Sequence, residues 1–148
     1  MWKEFTFIND ALSALKMFNT IFERIIIVTN QQGIGKGLMS ENDLNKIHQK
    51  MLEVIETNGG RINKIYYAPN LANENSVMRK PNTGMALQAQ KDFPEIDFNK
   101  AVIMGDSATD IQMGRKLGMV CVAINNTKIE ADLYFESLAE IAKLLEKE

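Results

Sequence analysis

The chain has 148 residues, of which 45% are hydrophobic and 24% are charged, and its formal net charge is −2. This length supports a domain with a real hydrophobic core, and the weak negative charge argues against a protein that grips nucleic acid through its overall charge. The single cysteine, Cys121, excludes a disulfide framework within the chain, so we expect a cytoplasmic protein. We expect Cys121 itself to be a small buried hydrophobic residue. No apolar run reaches the roughly 20 residues that a membrane span needs, and we expect no membrane partner.

The apolar pattern predicts helices and strands that alternate along most of the chain. In order, the predicted elements are an extended lead-in over 1–8, a helix capped by Asn9 or Asp10, a strand over 24–29, a helix from Ser40 to Gly59, a strand over 64–68, a helix over 83–93, a strand over 101–105, a helix ending near Leu117, a strand over 120–124, a short extended piece over 133–135, and a final helix capped by Ser137. The strands do not alternate apolar with polar residues, which indicates a parallel sheet covered by helices on both faces. We therefore expect one α/β domain of three layers over residues 1–148.

In such sheets ligands bind beyond the carboxyl ends of the strands, and the first strand ends in an unusual stretch. The sequence IIIVTNQQGIGKG carries Thr29 and Asn30 into three glycines within five residues. A strand-end hydroxyl followed by a glycine-rich turn suits a phosphate, because backbone N–H groups face the ligand and no Cβ blocks its approach. A purely structural threonine is the alternative, and the glycine spacing is not that of a Walker loop.

Two charged groups follow the later strands. Arg79 and Lys80 lie in a polar loop, where Pro81 restrains Lys80 towards an extended conformation and so helps to aim it. A lysine ammonium is a compact charge that suits a transferring phosphoryl group, although a solvated basic pair is the alternative.

Asp106 and Asp110 span the end of one strand and the start of a helix. Hard oxygen ligands at such a place suit Mg²⁺. Asp110 would either bind a water of the metal or orient Lys80. Helix capping by Asp106 or Ser107 is an alternative role that does not exclude metal binding. The only histidine, His48, shares a helical face with apolar residues, so we expect a partly buried structural role. No His or Cys cluster supports zinc.

Together, VTNQQGIGKG, RKP and MGDSATD resemble motifs II, III and IV of the haloacid dehalogenase-like (HAD) phosphatases. The nearest branch contains heptose bisphosphate phosphatase and histidinol-phosphate phosphatase, and the phosphatase domain of polynucleotide kinase shares the TNQ-x-GI signature. The resemblance covers the chain from about Trp2 to its end, and it implies a Rossmann-like HAD fold.

That resemblance also implies a mechanism. An aspartate attacks phosphorus to form an aspartyl-phosphate, and a second aspartate two residues later acts first as general acid and then as general base. Mg²⁺ and a lysine neutralise the charge of the phosphoryl group, and water completes the hydrolysis. The implied residues are Thr29 and Lys80 as catalytic groups on the phosphoryl group, Asn30, Gln31, Gln32, Arg79 and Ser107 for the substrate, and Asp106 and Asp110 for Mg²⁺.

The chain departs from the family at its N-terminal side. The family's nucleophile lies in an Asp-x-Asp motif after an N-terminal central strand, whereas the acidic residues before Thr29 are only Glu4, Asp10 and Glu23, in no such arrangement. We expect the strands that end at Thr29 and Gly105 to lack their shared neighbour, and this chain by itself to be a poor phosphatase. A truncated product, a rearranged fold and a strand supplied by another chain are three explanations.

Further expectations follow from the segments between the motifs. The loop APNLANENSVMRKP has none of the Cys and His zinc ligands that many members of the branch carry, so a zinc-free variant is implied. The short segments leave no room for a large cap domain, and an open pocket suits a small phosphorylated metabolite such as a sugar phosphate, for example a heptose bisphosphate.

Two other functions remain open. A non-catalytic phosphate-binding or regulatory module would also bind phosphate, and a nucleic-acid 3′-end phosphatase would need a basic groove that the acidic composition disfavours. A sheet edge exposed by the missing strand would invite self-association.

Overall fold

The computed structural model describes residues 9–30, 37, 40–68 and 76–146, without the side chains of 9–13 and 146. The expected extended lead-in over 1–8 and most of the glycine-rich loop, 31–36, lie outside the described residues. Within the described part, no helix is long and apolar enough to cross a membrane.

Helices and strands alternate as the sequence predicts. The helices are α1 (Asn9–Ile21), α2 (Glu41–Thr57), α3 (Gly84–Asp92), α4 (Ala108–Leu117) and α5 (Leu138–Glu146), and the strands are β1 (Ile26–Asn30), β2 (Lys64–Ala68), β3 (Val102–Gly105), β4 (Val120–Ile124) and β5 (Leu133–Phe135). Among the described elements, a 3₁₀ turn over Phe98–Lys100 is the one that the apolar pattern did not predict.

Local sequence signals set the ends of several elements. Ser40 and Asp43 form a reciprocal capping box at the start of α2, which satisfies two backbone N–H groups that would otherwise lack partners. Gly118 ends α4 in the left-handed conformation, with φ of 78°, which is open to glycine at no steric cost. Both ends therefore lie where the sequence predicts them.

The described strands form two sheets. One pairs β1 with β2, and the other has the order β3-β4-β5. The second sheet is parallel, with Val102 opposite Val120 and Val122 opposite Leu133. Among the described strands, β1 is hydrogen-bonded only to β2, and β3 only to β4.

The chain divides into two compact units, of which the first comprises Met1–Ile27, Met39–Ile65 and Ser137–Glu148. Here α1 packs against α5 and α2. Its buried apolar residues are Ala14, Phe18, Leu44, Ile47, Ile55, Ile62, Ile141 and Ala142. His48 on α2 is partly buried, and burial lowers the pKa of its imidazole below the usual 6.5.

The second unit comprises Val28–Leu38 and Tyr66–Glu136. Its core brings α4 against β3 and β4 and contains Ala86, Ile103, Ile111, Met113 and Cys121. Gly114 permits this approach, because a Cβ there would lie 2.5 Å from Cγ2 of Ile103 and 3.0 Å from Sγ of Cys121. Cys121 is fully buried, as predicted.

Candidate functional site

Lys80 is a buried lysine in the second unit, with 9% of its surface exposed. Its ammonium donates one hydrogen bond to the carboxylate of Asp110, which is equally buried, and another to the carbonyl oxygen of Val28 at 3.1 Å. Burial of a charge is costly unless it is paired and hydrogen-bonded, and here both conditions hold. The ammonium is thereby fixed between the middle of β1 and the first turn of α4.

Asn30, the last residue of β1, holds the backbone of Lys80. The backbone N–H of Lys80 donates to Oδ1 of Asn30 at 3.0 Å, and Nδ2 of Asn30 donates to the carbonyl oxygen of Lys80 at 3.3 Å. This reciprocal pair uses the donor and the acceptor of the Asn30 amide. The resemblance implies a substrate contact for Asn30, whereas in the structure its side chain is engaged by Lys80.

The turn that carries Lys80 is closed by its own hydrogen bonds. Backbone N–H groups of Arg79, Asn82 and Gly84 donate to carbonyl oxygens of Ser76, Arg79 and Val77 at 3.1, 2.9 and 2.8 Å. Glycine is required at position 84, because a Cβ there would lie 2.4 Å from the carbonyl oxygen of Val77. The Lys80–Pro81 peptide bond is cis. The three backbone hydrogen bonds within the turn give Lys80 a defined backbone position.

Gly105, at the end of β3, makes room for the Asp110 carboxylate. A Cβ at position 105 would lie 2.4 Å from Oδ2 and 2.6 Å from Cγ of Asp110. Real atoms do not approach so closely, so any larger residue would displace this carboxylate and, with it, the partner of Lys80.

The turn between β3 and α4 places Asp106 and Ser107 beside this pair. The Ser107 hydroxyl accepts the backbone N–H of Thr109 at 3.2 Å and lies 2.9 Å from the Thr109 hydroxyl, so Ser107 caps α4. Asp106 is exposed, and within the described residues its carboxylate has no hydrogen-bond or ion-pair partner. The helix-capping alternative therefore applies to Ser107.

These side chains suit one kind of metal. Across the described residues, no group of three or more His, Cys, Asp or Glu side chains could hold an ion, which does not match the ligand set of zinc. An exposed carboxylate at a strand end fits Mg²⁺, which takes one or two carboxylates and keeps several waters. Asp106 is an exposed carboxylate at the end of β3, whereas Asp110 is engaged by Lys80.

The remaining predicted residues are placed as follows. Thr29 is partly buried, and its hydroxyl lies 3.5 Å from the carbonyl oxygen of Asn30. Arg79 is partly buried and precedes Lys80 in the closed turn. Gln31 and Gln32 lie outside the described residues.

Sequence reasoning missed three participants in this geometry. The roles of the Val28 carbonyl and of the space beside Gly105 cannot be read from side-chain types. The glycine directly before Asp106 was the one signal in the sequence that indicated close packing there. Asn126, whose amide donates to the carbonyl oxygen of Asp106 at 2.9 Å, lies after β4 in a pair of asparagines that indicates only a turn.

Comparison with known protein families gives a match over nearly the whole chain. Residues 2–141 match the family described as polynucleotide kinase 3 phosphatase. A D-glycero-alpha-D-manno-heptose-1,7-bisphosphate 7-phosphatase from Campylobacter jejuni is 31% identical over 142 residues, which are 94% of this chain and 81% of the relative. A protein of the same name from Mycobacterium bovis is 29% identical over 148 residues, with 95% and 78% covered.

Solved structures show the same fold. A D,D-heptose 1,7-bisphosphate phosphatase from B. bronchiseptica, complexed with magnesium and phosphate, superposes with a TM-score of 0.88 at 24% identity, over 99% of this chain and 87% of that one. A HAD-superfamily hydrolase from Geobacter sulfurreducens has a TM-score of 0.64 at 18% identity, with 91% and 54% covered. The fold is thus the α/β fold of these HAD-superfamily structures, and the described residues include no large cap domain.

The fold and the motifs define a HAD-like phosphatase. The chain belongs to the polynucleotide kinase 3 phosphatase family, and its relatives include enzymes named as heptose bisphosphate phosphatases.

Proposed function

We propose that this site serves the Mg²⁺-dependent hydrolysis of a phosphomonoester on a small sugar, such as a heptose bisphosphate. The observation that carries the proposal is the buried Lys80 ammonium, held by Asp110 and by the carbonyl of Val28 in β1. The names of the relatives support a sugar phosphate as the substrate class.

Lys80 would hold the phosphoryl group. Within the described residues, two of its three N–H donors are taken by Asp110 and Val28, and the third would bond a phosphoryl oxygen. The Asp110 carboxylate pairs with the ammonium and so offsets the cost of burying its charge. Asn30 would act on the substrate through Lys80, by holding its backbone.

Asp106 would hold Mg²⁺, with Asp110 acting on Lys80 beside it. The ion, when bound, supplies positive charge that stabilises the developing charge on the phosphoryl oxygens. The hydroxyls of Thr29 and Ser107 and the guanidinium of Arg79 would contact the phosphate or the sugar, as would Gln31 and Gln32.

The proposed mechanism passes through an aspartyl-phosphate and therefore needs an aspartate nucleophile. The 148 residues contain no Asp-x-Asp pair. We accordingly expect this chain by itself to bind phosphate and Mg²⁺ without turning over a substrate.

Calorimetric titration of inorganic phosphate into the 148-residue chain, with and without Mg²⁺, tests the binding half of the proposal. We expect binding that Mg²⁺ strengthens and that Lys80→Met reduces by at least tenfold, since a charge-assisted hydrogen bond is lost. Lys91→Met, at an exposed lysine of α3, is the matched control and should bind as the unsubstituted chain does. Phosphate binding that is equal in both variants would refute the role of Lys80.

Release of phosphate from heptose bisphosphate tests the catalytic half. We expect none from this chain. Mg²⁺-dependent release that disappears in Lys80→Met would show that the 148 residues contain a nucleophile, and the account of the aspartate would be wrong.

The family description favours a second candidate, a phosphatase of nucleic-acid 3′ ends. The net charge of −2 argues against it, because nucleic-acid binding depends on neutralising phosphates with basic side chains. We expect no nucleic-acid partner. A competition titration separates the two: a 3′-phosphorylated oligonucleotide should displace inorganic phosphate no better than heptose bisphosphate does, and tighter binding of the oligonucleotide would favour the second candidate.

A further inference from the structure

The segment between β4 and β5 reaches the proposed metal site through one side chain. Nδ2 of Asn126 donates to the carbonyl oxygen of Asp106 at 2.9 Å, across 20 positions of sequence. Its Oδ1 accepts the backbone N–H of Lys128 at 3.0 Å. Both ends of the amide are therefore used, which fixes the orientation of the side chain.

The segment that carries Asn126 is itself braced on the sheet. Asn125 adopts a positive φ of 52°, which asparagine tolerates better than most residues, and its N–H donates to the carbonyl of Phe135 at 2.7 Å. At the other end, the Asp132 N–H donates to the carbonyl of Cys121 at 2.9 Å, and the Cys121 N–H donates to Oδ2 of Asp132 at 2.8 Å. Cys121 is fully buried in β4, so these bonds anchor the segment to the core.

A tyrosine closes the middle of the segment. The Tyr134 hydroxyl donates to the carbonyl of Ile129 at 2.7 Å and accepts the N–H of Ala131 at 3.0 Å. Asn126 thus lies in a segment that several hydrogen bonds hold on the sheet, and its bond to Asp106 restrains the turn between β3 and α4.

We infer that Asn126 is a positioning residue that holds the backbone of Asp106 and thereby raises the affinity of the site for a divalent cation. The inference rests on the proposed function, in which Asp106 binds Mg²⁺. Asp106 is exposed and its carboxylate has no partner in the described part of the chain, so its own side chain does not hold it. Partners that orient a ligand residue raise metal affinity, because less freedom is lost when the ion binds.

The test is the affinity of the 148-residue chain for Mg²⁺ alone, measured by calorimetry on Asn126→Ala. We expect a dissociation constant about tenfold higher than in the unsubstituted chain, the lower end of the range for partners of metal ligands. Asn58→Ala is the matched control, since Nδ2 of Asn58 also donates to a backbone carbonyl, that of Val54, on α2. Its Mg²⁺ affinity should stay within twofold.

Two further readouts separate positioning from general weakening of the fold. At saturating Mg²⁺, Asn126→Ala should bind inorganic phosphate within twofold of the unsubstituted chain, because Lys80 and Asp110 are untouched. Without metal, hydrogen exchange at the amides of Asp106 and Ser107 should be faster in Asn126→Ala and unchanged in Asn58→Ala.

An unsubstituted chain that does not bind Mg²⁺ would overturn both the proposed function and this inference. Mg²⁺ binding that is equal in the unsubstituted chain and in Asn126→Ala would overturn the inference alone. Equal losses of Mg²⁺ and phosphate affinity, accompanied by faster exchange throughout the second unit, would show a merely structural role and would also overturn it.

Discussion

The Asp110 carboxylate lies directly against the backbone of Gly105, so that one methyl group at position 105 would come within 2.4 Å of Oδ2 of Asp110. The same carboxylate accepts the hydrogen bond of the Lys80 ammonium. The last residue of β3 therefore determines where the ion pair lies, although it has no side chain of its own.

Gly105→Ala should lower the free energy of unfolding by about 1–3 kcal/mol, the usual cost of an added methyl group in a packed site. Urea unfolding measures the loss. In an Asp110→Ala background, the same substitution at Gly105 should cost less, because Oδ2 and Cγ of Asp110, which it would meet at 2.4 and 2.6 Å, are absent and only Cβ remains at 2.6 Å. Equal costs in the two backgrounds would show that the crowding lies elsewhere.

Lys80→Met and Asp110→Asn should each destabilise the chain by about 3–5 kcal/mol, since each leaves one buried group without its opposite charge. The double variant should be less destabilised than the sum of the two, because neither charge then remains unpaired. A thermodynamic cycle from urea unfolding gives the coupling. An additive result would mean that the two buried groups do not stabilise each other.

Asn30→Ala should cost about 1–3 kcal/mol, because it leaves the backbone N–H and the carbonyl of Lys80 without their partner. It should also weaken phosphate binding, as the Lys80 backbone loses its support. Asn45→Ala, at an exposed position of α2, is the control and should change neither quantity. A normal fold with weakened phosphate binding in Asn30→Ala would instead favour the direct substrate contact that the family resemblance implies.

The stability of the chain should fall as the pH drops below about 6.5, because burial lowers the pKa of His48 in the folded state. Below pH 6.5 the imidazole of His48 is protonated to a greater extent in the unfolded chain than in the folded chain, so acidification favours unfolding. Urea unfolding at pH 7.5, 6.5 and 5.5 measures the slope, and His48→Gln should flatten it.

A second carboxyl provides an internal check on this pH dependence. The hydrogen bond from the Cys121 N–H lowers the pKa of Asp132 below its usual 3.8, so the stabilisation from Asp132 is present above that pH and is lost only at more acidic pH. A slope between pH 7.5 and 5.5 that persists in His48→Gln would assign the effect to another group.

Much of the architecture follows from local sequence signals. Strands 64–68 and 120–124 were predicted at their observed bounds, the extended piece predicted over 133–135 is strand β5, and Gly118 was predicted as the stop of α4. These features depend on neighbouring residues: an apolar run, a capping side chain or a glycine. The 3₁₀ turn at Phe98–Lys100 escaped because three residues have no period to detect.

The site was predictable only in part. Lys80, Asp106 and Asp110 were identified from motifs at strand ends, and the structure brings Lys80 onto Asp110. That Asn30 binds the backbone of Lys80, and Asn126 that of Asp106, depends on segments 50 and 20 positions apart meeting in space. No local pattern encodes such contacts, because they are set by how the strands and loops pack.

The carbonyl of Pro81 accepts a hydrogen bond from the Lys116 ammonium at 3.3 Å, so the turn from Ser76 to Gly84 is tied to α4 through Pro81 as well as through Lys80. Asn30 and the carbonyl of Val28 tie the same turn to β1. A strand, a turn and a helix that are far apart in sequence therefore position one ammonium together, so natural selection on that position acts on three separate segments at once.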